Sequence, residues 1–160
     1  MRILVISDTH IPVAAQDLPV CVYDAIKDAD MIFHAGDFID VSLLDKLSSL
    51  KSVRAVSGNM DSKEIRMRLG PKELVKIGKF KIGIVHGYGA PSDLLNTVRR
   101  EFDKIDCLVF GHSHAAMNIE KDGVLYFNPG SPTDKIFASI NTYGILEVTD
   151  KKIEGAIIEI

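Results

Sequence analysis

Ile3-Leu4-Val5-Ile6-Ser7-Asp8-Thr9-His10 opens as a short apolar run rich in β-branched residues and closes on two side chains that metals favour. The plan recurs: Met31 to Phe33 precedes Asp37, Val53 to Val56 precedes Asn59, Ile82 to Val85 precedes His86, and Cys107 to Phe110 precedes His112 and His114. Short β-branched runs read as buried strands. Polar side chains clustered just past the carboxyl ends of strands are how α/β folds build sites in a crevice. The expectation is therefore one crevice into which Asp8, His10, Asp37, Asn59, His86, His112 and His114 converge.

Working outward, helix signals fall between these runs. Asp17 and Pro19 start a segment to about Lys27, and Ser42 with Asp45 resembles a capping box ahead of Leu43, Leu44, Leu47 and Leu50. Pro91 and Ser92 open a third, with Leu94, Leu95, Val98 and Phe102 at helical spacing. Parallel βαβ units follow. Beyond residue 112 the pattern changes to alternation: Met117 and Ile119 against Asn118 and Glu120, an Asp122-Gly123 turn, and a return over Val124 to Phe127. Gly144 to Val148 and Ile153 to Ile160 read as two further strands, and Leu74 to Ile77 with Phe80 to Val85 as a hairpin across Gly78-Lys79. The predicted fold is α/β, with two mixed β-sheets packed as a sandwich and helices on the outer faces.

The chain of 160 residues fits one domain spanning 1–160. Its 19 basic and 22 acidic residues leave a net charge of -3 with no block of one sign, which argues against bulk nucleic-acid binding or an anionic membrane as partner. The opening apolar run is too short for a signal peptide and no stretch reaches the length of a membrane span, so a cytoplasmic protein is expected. Cys21 and Cys107 read as reduced, buried thiols.

Each motif has an ordinary reading. Asp8-Thr9-His10 alone fits a loop cap; Gly36-Asp37 and Gly58-Asn59 alone are turns whose glycines let the chain bend sharply. His34, inside an apolar run, reads as a structural histidine. Gly111-His112-Ser113-His114 is stronger, since imidazoles at i and i+2 after a strand can serve neighbouring metals. Together, at one kind of position, the seven residues favour a shared site over chance.

In this order and spacing, D-x-H, G-D-x-x-D, G-N-x-D, a single His after a strand and G-H-x-H resemble the calcineurin-like metallophosphoesterase family, in its small single-domain archaeal and bacterial phosphodiesterase branch. Asn128-Pro129-Gly130-Ser131 resembles a loop motif of that branch, so the likeness spans essentially the whole chain. It implies the four-layer αββα fold of that family. It also implies that Asp8, His10 and His114 hold one divalent metal, that Asn59, His86 and His112 hold a second, and that Asp37 bridges them. Manganese is the first choice of ion, with nickel, iron, zinc or magnesium as alternatives. Two such ions, about 3.5 to 4 Å apart, share a hydroxide nucleophile and clamp a phosphoryl group. Set against the Asp8 and Asp37 carboxylates, they leave a positive centre suited to a small phosphodiester. Asp37, Asn59 and Asp61 are the expected catalytic residues; Asp40 and Asp61 read equally as groups orienting ligands or water and as solvated loop carboxylates.

Many relatives carry a histidine after the metal-binding Asn, where this chain has Met60. Losing a general acid costs about 10² to 10⁴ in rate, most for poor leaving groups. Diesters with good leaving groups, including aryl diesters, are therefore favoured over monoesters. The alternative is a non-catalytic protein-binding scaffold of the same fold, as a retromer subunit similar to this family is thought to be. A nucleotide-binding regulator is disfavoured because G-x-G-x-x-G and G-x-x-x-x-G-K-[ST] are absent. The loops at Ile11 to Gln16, Met60 to Pro71 and Gly87 to Ser92 are expected to wall the pocket, and either a monomer or a homodimer fits.

Overall fold

The computed structural model describes residues 1–160 and contains two five-stranded mixed sheets. In the first, β1 (Arg2–Ile6), β2 (Met31–His34) and β3 (Ser52–Ala55) run parallel. β9 (Thr142–Val148) pairs antiparallel with β1, and β10 (Ile153–Glu159) pairs antiparallel with β9, giving the order β10-β9-β1-β2-β3. The second sheet has the order β4-β5-β6-β8-β7, built from β4 (Lys72–Ile77), β5 (Phe80–Val85), β6 (Cys107–Val109), β7 (Met117–Lys121) and β8 (Val124–Asn128). Its centre, β5-β6-β8, is parallel, and both edge strands are hairpin partners.

Period-two burial explains the layering, because successive strand side chains face opposite sides of a sheet. On β1, Ile3 and Val5 point inward to meet Ile82, Ile84, Cys107, Val109 and Phe127 of the second sheet, forming the layer between the sheets. Leu4 and Ile6 point the other way, against α1 (Val20–Asp28) and α2 (Val41–Leu50), through Val22, Ile26, Leu43 and Leu47. The outer face of the second sheet is covered by α4 (Leu94–Val98), where Leu94 and Val98 pack on Val85, Leu108 and Tyr126. Phe127 reaches across to the first sheet where Gly144 and Gly155 have no side chain; a Cβ at Gly155 would lie 2.5 Å from the ring. The expected sandwich with helices outside is what forms.

Several local expectations need correction. The first turn of α2 is capped by Asp40, whose carboxylate accepts the Ser42 N–H at 2.9 Å; Ser42 lies inside the helix. That use, with its exposed position, makes Asp40 a helix cap rather than a group orienting ligands. Cys21 is exposed on α1, so only Cys107 is a buried thiol. The Pro91 segment is a short 3₁₀ turn (Pro91–Asp93) leading into α4, which ends at Val98. An additional helix, α3 (Lys63–Arg68), occupies part of the Met60 to Pro71 loop and buries only Ile65. No helix is long and apolar enough to cross a membrane.

Candidate metal centre

The parallel strands β1, β2, β3, β5 and β6 all end on the same side, and the loops leaving them carry the seven predicted side chains. The structure brings all seven together. Ligand atoms of Asp8, His10 and His114 lie within 4.8 Å of one another, as do those of Asp8, Asp37 and His86. His114 Nε2 is 3.4 Å from Asp8 Oδ1, and His10 Nε2 is 3.6 Å from Asp37 Oδ2. On the other side of Asp37, His86 Nε2 sits 3.3 Å from Asp37 Oδ2 and 3.1 Å from Asn59 Oδ1. His112 Nδ1 is likewise 3.1 Å from Asn59 Oδ1.

These spacings fit cations. Ligand atoms about 2.1 Å from an ion stand about 3.0 to 3.4 Å apart in octahedral or tetrahedral arrangements. The hydrogen-bond pattern points the same way. His86 Nδ1 faces the Ala35 carbonyl at 2.7 Å and His112 Nε2 faces the Gly89 carbonyl at 3.0 Å. In the neutral ring each of those nitrogens is the donor, which leaves the lone pair of the other ring nitrogen facing the Asn59 side chain and able to bind a cation. His10 Nε2 is buried without any hydrogen-bond partner, the mark of a nitrogen whose partner is not a protein group.

Protonation follows from the crowding. Burial pushes the Asp8 carboxyl above its ordinary range, outweighing the pull of His86 and His114. Asp37 moves the opposite way: its hydrogen bond and charge pairing with His86, and the Met60 N–H, outweigh burial. Burial opposes charge on His86 too, yet the Asp37 hydrogen bond and the Asp8 and Asp37 charges raise it to about 9. In the metal-free protein a proton on His86 does part of what a cation would do.

The backbone at these residues is unusual. Asp8, His10, Asp37, His112 and His114 have φ of 53°, 44°, 61°, 69° and 56°, the left-handed region that non-glycine residues rarely adopt. Gly58 has a different task from the sharp turn expected of it. A Cβ there would lie 2.6 Å from Asp37 N and closer still to its carboxylate, so Gly58 permits the close approach of two loops. Asp61 holds the same junction: Oδ2 accepts the N–H groups of Gly58 (2.7 Å) and Asp37 (3.1 Å), and Oδ1 accepts that of Ile39 (2.8 Å). Buried behind Asp37, it fixes that residue's backbone.

His34 is structural, as read. Its Nδ1 accepts the Gly36 N–H at 3.1 Å, its Nε2 faces Thr9 Oγ1 at 3.1 Å, and its ring stacks on Phe38. Burial drives its pKa well down, keeping it neutral. The Asn128-Pro129-Gly130-Ser131 loop also braces the centre: Ser131 Oγ donates to the Asp8 carbonyl (2.7 Å) and Asn128 Nδ2 to the Gly111 carbonyl (2.9 Å).

One residue of this cluster escaped the sequence reading. Asp134 Oδ2 lies 2.6 Å from His114 Nδ1, completing a carboxylate–imidazole pair that leaves Nε2 free to face Asp8. It comes six residues past β8, beyond the four-residue window that marked the others, though at the same end of a parallel strand. With Lys135, Ile136 and Phe137 it lines a cavity of about 840 Å³ that also contains His10, Asp37, Asn59, His112 and His114. This wall was not among the three expected loops. A smaller cavity of about 390 Å³ lies beyond Asn59 and His86, with Arg66, Lys72 and Tyr88 on its rim.

Residues 1–151 match the calcineurin-like phosphoesterase superfamily domain. A probable metallophosphoesterase from Methanothermobacter thermautotrophicus is 34% identical over 160 residues, covering 99% of this chain and 92% of its own. Among solved structures, Entamoeba histolytica Vps29 complexed with zinc superposes with a TM-score of 0.77 at 25% identity, covering 99% of both chains. A novel archaeal phosphodiesterase shares the fold with a TM-score of 0.72 at 24% identity, over 99% of this chain and all of its own. On the matched domain and the identity of that archaeal relative, the chain belongs to the calcineurin-like phosphoesterase superfamily.

Proposed function

We propose that this protein is a divalent-metal-dependent phosphoesterase that hydrolyses small phosphodiesters. The observation that carries the reading is the meeting of seven nitrogen and oxygen ligand types at the ends of five parallel strands, with His10 Nε2 buried and unpartnered. Asp8, His10 and His114 would hold one ion, and Asn59, His86 and His112 a second, with Asp37 shared. Manganese heads the range of ions that this mixture suits, with nickel, iron, zinc and magnesium following. Such a pair supplies Lewis acidity at the phosphoryl oxygens and a nucleophile from water at neutral pH.

The chain's own residues do the positioning. Asp37 sits between the two ligand groups, its backbone held by Asp61 and its Oδ1 accepting the Met60 N–H at 2.7 Å. Asn59 turns its carbonyl oxygen toward His86 and His112. Met60 borders the large cavity and offers no proton to a departing alkoxide. Hence the preference for diesters with good leaving groups over monoesters. A protein described as an archaeal phosphodiesterase has the same fold. We place the enzyme in the cytoplasm, as a monomer or symmetric dimer.

Metal analysis of the purified protein, with turnover of matched aryl diesters and monoesters before and after chelation, tests the reading. Diester hydrolysis lost on chelation and restored by manganese is the expected result; turnover in the metal-free protein, or monoesters cleaved as fast as diesters, refutes it. A second reading, a binding scaffold without turnover, uses the same fold that this chain shares with Vps29. That reading requires the metal-loaded protein to be inert toward every ester tested.

A further inference from the structure

The crevice has two unlike walls. Beyond Asn59 and His86 the smaller cavity is polar and mixed in charge: Arg66, Lys72, Tyr88 and Glu101 line it, with Lys72 Nζ 3.2 Å from Glu101 Oε2 and the Tyr88 hydroxyl donating to Glu101 Oε1 at 3.4 Å. The larger cavity is bordered instead by Val13, Met60, Ile136 and Phe137. Large apolar side chains are normally withdrawn from water, yet Ile136 and Phe137 are 82% and 76% exposed, and Val13 and Met60 are exposed as well.

Their display is built rather than incidental. The Asp134 carboxylate accepts the N–H groups of Ile136 (2.8 Å), Phe137 (3.0 Å) and Ala138 (2.7 Å), folding the segment into a tight turn. Asn141 Nδ2 donates to the Asp134 carbonyl at 2.6 Å and to that of Ser131 at 3.1 Å, pinning the turn from beneath. The same carboxylate grips His114, and the Phe137 ring meets the His114 ring edge-on with centroids 5.6 Å apart. One acidic group therefore both orients a candidate ligand and presents an apolar platform at a fixed place beside it. Lys135 lines the same cavity and adds positive charge to it.

We infer that Ile136 and Phe137, with Val13 and Met60 of the same cavity, form a specificity-determining shelf that receives a flat aromatic ester group of the phosphodiester. The inference rests on the phosphodiesterase reading and names the class of ester that the site prefers. An aromatic ring gains both apolar contact and edge or offset stacking against Phe137, whereas a methyl ester gains little. The smaller cavity across Asn59, lined by charged and polar side chains, offers an aromatic ring no comparable apolar platform, which sets the direction in which the diester lies.

The test is direct binding of phenylphosphonate and methylphosphonate to the manganese-loaded protein by calorimetry; neither compound has an ester bond to cleave. Wild-type protein should bind the phenyl compound at least tenfold more tightly. In Phe137→Ala and Ile136→Ala that ratio should fall to within about twofold while methylphosphonate affinity is unchanged. Equal affinities in the wild type, no binding of either compound, or a parallel loss of both in the variants would overturn the shelf. So would dissociation of a wild-type dimer by Phe137→Ala in sedimentation, with no phenyl preference, since the face would then join copies of the chain. Phenyl-selective binding without turnover of any diester sinks the catalytic reading and leaves the shelf; turnover without phenyl selectivity does the reverse.

Discussion

Asp134→Asn is the most discriminating perturbation of the centre, because it changes one atom in a residue that no side-chain spacing had marked. In the native arrangement Oδ2 faces His114 Nδ1 at 2.6 Å and also accepts the Phe137 and Ala138 N–H groups, while Oδ1 takes that of Ile136. An amide has one acceptor where the carboxylate has two. With its oxygen turned to Ile136, its NH₂ meets two backbone donors; turned the other way, it abandons the Ile136 N–H. Either way the contact to His114 loses its charge-assisted character, worth about 1.5 to 3 kcal/mol. Removing a carboxylate behind a metal-binding imidazole typically costs 10- to 100-fold in affinity or activity, which at about 1.4 kcal/mol per tenfold agrees with the hydrogen-bond figure. Calorimetric titration with manganese should therefore show one site per chain weakened about 10- to 100-fold, that of Asp8, His10 and His114, with the site of Asn59, His86 and His112 little changed. Equal weakening of both sites, or of neither, would refute the assignment of His114 to one ion and of Asp134 to its support.

Asp37→Asn should weaken both sites at once and abolish diester hydrolysis while the far-ultraviolet circular dichroism stays native; full activity would remove the shared role of Asp37. Gly58→Ala places a Cβ 2.6 Å from Asp37 N, so it should destabilise the protein by about 1 to 3 kcal/mol in denaturant melts; Gly70→Ala, where the nearest atom is 3.5 Å away, is the matched control and should be tolerated. His34→Phe keeps the apolar bulk but strands the Gly36 N–H, costing about 1 to 3 kcal/mol with metal stoichiometry intact. In the metal-free protein, His86 is raised to about 9 from the ordinary 6.5, so its contribution to stability is complete below about 6.5 and is lost as pH rises through about 9. The melting temperature of the metal-free form should therefore fall between pH 7 and 9, and manganese binding at pH 7.5 should release a proton; a flat or rising melting temperature refutes the link.

What the sequence revealed depended on how each feature is encoded. β1, β2, β5 and β6 were legible because Ile, Val, Leu and Phe crowd short runs that are buried on both faces. α2 was legible because its leucines bury one stripe against the first sheet, whereas α1 was marked by its Asp17 and Pro19 start signal. α3 had no such signal, since six residues with only Ile65 buried give no period. The Pro91 helix was read as too long because Phe102 falls at helical spacing for another reason: it lies flat over Gly83 of β5, outside the helix. The seven candidate ligands were legible as a set. Asp134 was not, because its distance from β8 exceeds that of the others from their strands. Asp61 could be placed near the site by its spacing, but only the structure assigns its oxygens to backbone N–H groups.

The left-handed backbone at Asp8, His10, Asp37, His112 and His114 bears on why this centre demands so much support. Non-glycine residues in that region each cost of order 1 kcal/mol or more, and they persist only where the surroundings over-determine them. Here the surroundings do so in detail: Ser131 holds the Asp8 carbonyl, Thr133 that of Thr9, Asp61 the Asp37 N–H, and Asn128 the Gly111 carbonyl. None of these four bonds reaches the crevice with a group of its own. A binding surface made of exposed side chains needs no such bracing, because rotamers alone can adapt to a partner. Convergent ligands for a small cation cannot adapt in that way, since displacements of a few tenths of an ångström exceed the tolerance of metal–ligand distances. The concentration of strain and of buried backbone bracing around these five residues is therefore what a metal centre requires, and it weighs against a scaffold that has dispensed with metals altogether.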